Sequence, residues 1–393
     1  MPKTQISKQI DGLKIRTLNL VLTKNCNLNC LYCYEKEKQQ DEERMDTSIA
    51  KEMIRKYMNA DDEFNVVEID FFGGEPMLAF SQIREIIQWF LLQNWSKGYR
   101  FLIGTNGTIL TDEMKSWLHK YRDIINISLS IDGNKIAHDL IRDNSYDLIY
   151  PNLSFFKSHW LHQPAKMTII GDTIPYLADS IIELEEMGIN FTANVAFEDF
   201  WGNSERKKKL LNIYEEQLNK LVSFYTAHQE LFPVSPLLTA LPEYLGLSNS
   251  IISNNSRSDC VRFCGAGHEM VTVDIDGEVY PCHRFLPWVT GKPAPKLQTN
   301  IQTLWKPEEC SNCRIVSSCP TCAAFNWEVN GDTSIRSTYH CESHILEVLA
   351  SSKLEAIRLS QINKNKLESI SSGELKLLKR KTEALWELIE NGI

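Results

Sequence analysis

The 393-residue sequence has no run of roughly 18 uncharged apolar residues, so no segment reads as a membrane span. Its first residues, Met-Pro-Lys-Thr-Gln-Ile-Ser-Lys-Gln-Ile-Asp, hold no apolar signal core, and a cytoplasmic protein is the expectation. Positive charge is not in surplus: 51 Asp and Glu against 42 Lys and Arg give a formal net charge of -9. That excludes the broad basic surface that nucleic acid or an anionic membrane would need. A disulfide framework is missing too, because the 11 cysteines are odd in number and gather in tight groups, a poor pattern for bridges in a cytosolic chain. Residues 34–259 contain no cysteine at all.

What is present is an ordinary globular composition, 43% apolar and 24% charged, with length for one large domain and a smaller one. Metal ligation is the better reading of the cysteines, which divide into three near the start and eight after residue 259. Cys26, Cys30 and Cys33 lie at a C-x3-C-x2-C spacing on one loop, just after the apolar run 18–23. Three thiolates on one loop reach a single cluster, and a four-iron cluster held by three cysteines leaves one iron open to a small molecule. Spacing alone leaves open a zinc site lacking its fourth ligand, or unrelated thiols in an apolar segment.

The chain from 18 to 196 alternates between short β-branched or aromatic runs and longer amphipathic ones. Strands are expected at 18–23, 66–72, 99–104, 125–131, 165–170 and 190–196, with helices at 49–58, 81–94, 111–120, 146–160 and 175–187. Six β/α units of roughly 30 residues predict an α/β fold, an incomplete (β/α)6 barrel with active-site groups at the C-terminal ends of its strands. The unusual residues fall at those ends: the cysteine loop, 73–76, 105–107 and 130–133. A long polar helix over 204–229 carries the basic run 206–209, read as a solvated face. The last helix has an apolar face at Leu375, Leu378, Leu385 and Leu388 behind a capping box from Ser371 to Glu374.

With Tyr32 ahead of Cys33, and Gly73-Gly74-Glu75-Pro76 after the second strand, residues 17–345 resemble the radical S-adenosylmethionine (SAM) enzymes that carry a C-terminal SPASM domain. The resemblance implies an N-terminal extension (1–16), a radical SAM partial barrel with trailing helix (17–231), a connector (232–259), a SPASM domain (260–345) and C-terminal helices (346–393). It implies that Cys26, Cys30 and Cys33 hold a SAM-binding [4Fe-4S] cluster. Tyr32 would lie by the adenine, Gly73, Gly74, Glu75 and Pro76 by the methionyl amine, and Ser130 and Arg142 by the ribose and carboxylate. Two auxiliary [4Fe-4S] clusters would take Cys260, Cys264, Cys282 and Cys322, and Cys310, Cys313, Cys319 and Cys341. The last pair is spaced C-x2-C where the family usually has C-x3-C, which loosens the partition of Cys319 and Cys322. A zinc knuckle of Cys310, Cys313, Cys319 and Cys322 is the rival.

The resemblance further implies oxidative modification of a peptide, with a 5'-deoxyadenosyl radical removing a hydrogen atom from substrate. Thioether or other crosslinking of a ribosomal precursor peptide is the expected reaction. The partners are that peptide or protein and a flavodoxin- or ferredoxin-like reductant, with neither nucleic acid nor membrane. Formylglycine maturation of a sulfatase and peptide epimerisation are the alternatives within the fold; an iron-sulfur electron carrier or zinc-stabilised scaffold is the non-enzyme alternative. Sulfatase-maturating enzymes usually place Gln before the Gly-Gly pair and a basic Asp after the Cys282 equivalent, where this chain has Phe72 and His283. His283 is the candidate general base, against a plain surface histidine. Glu35, Glu198 and Asp199, near predicted strand ends, are candidate peptide contacts. The segment 1–16 is too short for a winged-helix leader-binding domain.

Overall fold

A computed structural model describes residues 13–35, 43–237, 260–261, 265–295, 303–304, 310, 313, 315, 319–361 and 372–391. Cys264 and Ser371 lie outside the described residues, and Cys260 is described only as part of a strand. The chain divides into two compact units, Met1–Lys166 with Gly188–Phe191 and Cys264–Ile301, and Met167–Met187 with Thr192–Phe263 and Gln302–Ile393.

The first unit is built on a six-stranded sheet in the order β4-β3-β2-β1-β8-β9. Strands β1 (Ile15–Thr23), β2 (Val66–Gly73), β3 (Gly98–Thr105) and β4 (Ile125–Leu129) pair in parallel, and β8 (Met270–Val273) adds a parallel neighbour on the other side of β1. Antiparallel β9 (Val279–Tyr280) completes the edge. Register puts Leu18, Leu20, Ile69, Phe71, Phe101, Ile103, Ile125 and Ile127 on one buried face. Phe90 of helix α2 (Phe80–Leu91) meets the Phe101 ring edge-on at 5.1 Å there, so this is the face the helices cover. The opposite face carries Thr17, Asn19, Glu68, Asp70, Arg100, Asn126 and Ser128. Parallel sheets are ordinarily apolar on both sides, so this row of polar side chains sets the inner face apart.

Helix starts follow local chemistry. Asp46 accepts from Ser48 N at 2.8 Å to cap α1 (Thr47–Met58), and Thr111 accepts from Met114 N at 3.2 Å to cap α3 (Asp112–Tyr121). Two differences from the expected elements bear on the site. Strand β4 stops at Leu129, and an additional short helix, α4 (Lys135–Ile141), capped by Asn134, precedes α5 (Tyr146–Trp160). A seven-residue helix carries too few turns to show a period, and its capping Asn reads equally as a turn residue. Sheet continuity also breaks: past β4 a single parallel bridge, Ser130 to Lys166, leads to β5 (Ala165–Ile169), which pairs separately with β6 (Phe191–Val195). The result is a partial, open barrel of β/α units with a C-terminal extension.

In the second unit, α6 (Leu177–Glu186) is followed by α7 (Ser204–Ala227), capped by Asn203. Arg206 and Lys207 of the expected solvated run are tied down: Arg206 binds Phe200 O at 2.7 Å and Asp172 at 3.1 Å, and Lys207 pairs with Glu342. A short antiparallel pair joins β7 (Cys260–Val261) to β10 (Thr303–Leu304). Helices α8 (Ala323–Asn330), α9 (Cys341–Ser360) and α10 (Ser372–Asn391) follow. Leu385, from the expected apolar face of α10, is fully buried against Ile315, Val348 and Ala356.

Candidate functional site

The end of β1 passes into the cysteine loop, and the end of β2 is pressed against it. Gly74 N donates to Thr23 O at 3.0 Å and Glu75 N to Asn25 O at 2.8 Å. A Cβ on Gly73 would stand 2.0 Å from Thr23 O, and one on Gly74 2.4 Å from Asn25 O, so both positions require glycine. The pair is needed first for the approach of the chain's own backbone. Glu75 is 1% exposed, and its carboxylate accepts from Met77 N (3.0 Å), Thr105 Oγ1 (2.8 Å) and Asn106 N (2.7 Å), which clamps the ends of β2 and β3. Burial pushes its pKa up and those three donors oppose the shift.

Asn106 extends the clamp to the cysteine loop, donating from Nδ2 to Asn27 Oδ1 at 2.8 Å, with Cys26 Sγ 4.0 Å away. Leu28 N points at Cys26 Sγ (3.5 Å) and Cys33 N donates to Cys30 O (3.2 Å). Burial pushes the Cys26 thiol up to about 11 and Cys33 to about 12, and raises Cys30; Cys26 also feels Cys30, and Cys33 feels both of the others. One buried and two half-buried thiols on one short loop, with an amide donor facing Cys26, fit a cluster that binds them as thiolates, since iron supplies the positive charge that burial withholds. Among the described residues, no three His, Cys, Asp or Glu side chains are gathered closely enough to hold a single metal ion.

Beside this loop lies a network legible only in part from the sequence. Tyr32 donates to Asp132 Oδ2 at 2.6 Å, and Arg142 Nη1 reaches both Tyr32 Oη and Asp132 Oδ2, the latter at 3.2 Å. Burial opposes the Arg142 charge, but Tyr32, Asp132 and Cys30 outweigh it and raise its pKa. Among the described residues its buried Nε has no partner, a donor left for a further acceptor. Below it His138 is fully buried, accepting from Asp132 N at 3.2 Å and meeting Ser145 Oγ at 3.0 Å; burial and then Arg142 lower it to about 4, so it is neutral at physiological pH. Asp143 and Asn144 take left-handed φ of 58° and 54°, and Asp143 Oδ2 accepts from Asn29 N at 3.3 Å. Tyr32 and Arg142 were expected from sequence; Asp132 and His138 belong to a helix start that periodicity does not reveal. Ser130 N donates to Thr105 O at 2.9 Å, and Ser130 carries the bridge to β5.

On the inner face His283 stacks on Phe72 at 4.6 Å and on Tyr34 at 6.0 Å, with Arg284 over the Tyr34 ring at 4.7 Å. His283 Nδ1 is buried without a partner among the described residues, and burial, then Lys166 and Arg284, lower its pKa to about 3. Asp70, two residues before Phe72 and on the same face, is raised to about 7 by burial, with Glu68 adding to the shift and Lys166 opposing it. Glu68 itself is paired with Arg100. Glu35 is buried at 5% exposure, Glu198 O accepts from Phe200 N at 3.0 Å, and Asp199 Oδ1 accepts from Trp201 N at 3.2 Å.

Of the distal cysteines, Cys282 is buried beside Tyr34 in the first unit. In the second unit Cys319 is raised to about 12 by burial, and it also feels Cys341, Cys310 and Cys313. Cys322 stands directly before α8. No helix among the described residues is long and apolar enough to cross a membrane.

Residues 20–183 match the family model described as the Radical SAM superfamily. The chain is 23% identical over 303 residues to the radical SAM cyclopropyl synthase TigE of Paramaledivibacter caminithermalis, covering 71% of this chain and 60% of TigE. Its fold is like that of anSMEcpe with bound AdoMet and Cp18Cys peptide: TM-score 0.63, 17% identity, 86% of this chain and 96% of that one. It is also like Streptococcus suis SuiB bound to its precursor peptide SuiA: TM-score 0.53, 19% identity, 84% and 76% of the two chains.

Proposed function

We propose, on the premise that residues 20–183 form a radical SAM domain, that this chain is a peptide-modifying oxidoreductase that crosslinks a ribosomally made precursor. The domain implies SAM and one four-iron cluster, to be held by Cys26, Cys30 and Cys33; the eight distal cysteines would hold two more clusters. Bound there, the cofactor supplies hydrogen-atom abstraction from an unactivated C–H bond. The chain's own residues do the rest. Arg142, held by Asp132 and Tyr32, presents its spare Nε to an anionic group such as the methionyl carboxylate. Glu75 fixes the Gly-Gly turn, which we assign to the methionyl amine, and Ser130, which carries the bridge to β5, we assign to the ribose.

The observation that carries crosslinking over formylglycine formation is the contact between Phe72 and His283. The two places where a sulfatase-maturating enzyme would hold Gln and Asp are filled by rings stacked on each other at 4.6 Å, so that pair offers no carboxylate. The carboxyl nearest in the same row is Asp70, whose raised pKa suits a proton acceptor near neutrality. We therefore assign His283 to shaping the pocket and Asp70 to taking the proton from the substrate nucleophile. The peptide bound to SuiB and to anSMEcpe in those structures supports a peptide substrate for this fold, without naming this chain's own.

The test is co-expression with a short Cys-rich open reading frame from the neighbouring genes, followed by mass spectrometry. Loss of two hydrogens per event, with a fragmentation-resistant loop, is the expected result. An unchanged mass with an inverted centre would indicate epimerisation, and conversion of a Cys- or Ser-containing sulfatase motif peptide to formylglycine would overturn the crosslinking assignment. Reduced protein that yields no 5'-deoxyadenosine and holds zinc with little sulfide would overturn the enzyme reading altogether.

A further inference from the structure

We propose that His138 and Ser145 are positioning residues for Arg142: they form a hydrogen-bonded brace between the main chains of Asp132 and Arg142, and that brace aims the guanidinium at the anionic end of the cofactor. The proposal rests on the reading above that Arg142 meets the methionyl carboxylate.

The direction of each bond in the brace follows from what its ends can do. Asp132 N can only donate, so His138 Nδ1, 3.2 Å away, carries a lone pair and the ring hydrogen sits on Nε2. Ser145 Oγ gives its one hydrogen to Arg142 O at 2.6 Å, a carbonyl that can only accept. The 3.0 Å contact between His138 Nε2 and Ser145 Oγ is therefore a bond donated by the ring. Three bonds run one way, from the amide of Asp132 to the carbonyl of Arg142, through side chains that are 0% and 1% exposed. Aligned bonds in a buried setting reinforce one another.

The brace closes the same span of chain that the side chains close from the other side, where Arg142 Nη1 reaches Asp132 Oδ2 at 3.2 Å. Both partners of the ion pair are thus held by main chain as well as by side chain. Such holding matters here because Arg142 stands outside the regular helix. It is the C-cap of α4, at φ -123° and ψ 44°, and the next two residues, Asp143 and Asn144, take left-handed φ. Non-glycine residues keep that conformation only where their surroundings determine it. Ser145 follows directly and returns both its N, at 3.2 Å, and its Oγ to Arg142 O. An arginine side chain has considerable rotamer freedom, and affinity for an anion rises when that freedom is removed before the ligand arrives. The buried Nε of Arg142, without a partner among the described residues, is the donor whose aim the brace decides.

The experiment is a double-mutant cycle on the full chain after anaerobic reconstitution, with iron content and the dissociation constant of SAM, from equilibrium dialysis of the labelled compound, as readouts. Ser145→Ala removes the middle of the brace with little change of volume, and His138→Phe removes both ring bonds while keeping a ring. Each is made in the parent and in Arg142→Met. Each is expected to keep the parent's iron and to weaken SAM binding by about tenfold in the parent background, but by less than about twofold in Arg142→Met. Equal weakening in the two backgrounds would overturn the proposal, since the pair would then support the site by packing alone. Parental affinity in either variant would overturn it as well. Should His138→Phe lose iron, Ser145→Ala decides by the same comparison, and loss of iron from both assigns the pair to the fold of the cysteine loop and rejects the brace. An Arg142→Met chain that binds SAM like the parent would instead overturn the reading of Arg142, and the proposal with it.

Discussion

At the scale of single residues, the site's character comes from polar groups withdrawn from water and only partly compensated. Asp70 is the clearest case, because its pKa is raised from 3.8 to about 7 mainly by burial, with Lys166 the opposing cation. A raised folded value means the folded chain holds that proton more tightly than the unfolded chain. Its stabilising contribution is full below about pH 4 and is lost as pH rises through 7. Asp70→Asn should therefore gain stability relative to the parent between roughly pH 5 and 8, by about 1–3 kcal/mol, as read from urea midpoints across pH. A difference that stays flat with pH would contradict the burial of this carboxyl. The same variant should leave SAM cleavage near the parental rate and reduce peptide product, since Asp70 lies outside the cofactor-holding groups. Asp132 teaches the converse lesson. It sits in the conspicuous stretch 130–133, yet its partners Tyr32 and Arg142 are 100 and 10 residues away, and no local pattern could pair them.

Among elements, the strands were legible and the joints between them were not. Strand β2 is readable from 66–72 because its aromatic and β-branched residues recur with period two, and the Gly-Gly pair marks its end. The reason for those glycines is hidden, because it lies in the backbone of Thr23, Lys24 and Asn25 on another segment. Gly104 at the end of β3 makes a matched control: a Cβ there meets nothing within 4 Å. Gly74→Ala should destabilise the chain by about 3 kcal/mol or more and reduce cluster loading, whereas Gly104→Ala should stay within about 0.5 kcal/mol. Thermal unfolding with iron analysis separates the two; equal effects would show that the turn relaxes freely. Helix α4 was missed for the physical reason that seven residues cannot display a helical period. The extension of the sheet by β8 and β9 is not legible in the sequence because it joins segments some 250 residues apart, as in the bond from Asn19 to Thr272.

For the whole molecule, the division of labour among cysteines yields a paired prediction. Cys30→Ala should abolish 5'-deoxyadenosine formation and lower iron by about four atoms per chain. Cys313→Ala should also lose iron but keep uncoupled cofactor cleavage while peptide product disappears, as read by chromatography of the nucleoside alongside mass spectrometry of the peptide. Equal turnover by the Cys30 variant and the parent would remove the basis for the functional reading. The α/β class, the partial barrel and the position of the cysteine loop were all legible, because each rests on local periodicity or spacing. The polar inner face was not, since alternation along one strand gains meaning only when four strands align it. That face has a thermodynamic consequence for whatever enters. A guest exchanging water for the half-buried Asp70 and Asn126 buries little hydrocarbon there, so its association should show a small heat-capacity change and a marked enthalpy, unlike capture by a greasy groove. Calorimetry at several temperatures would then report selection by hydrogen-bond geometry rather than by oiliness.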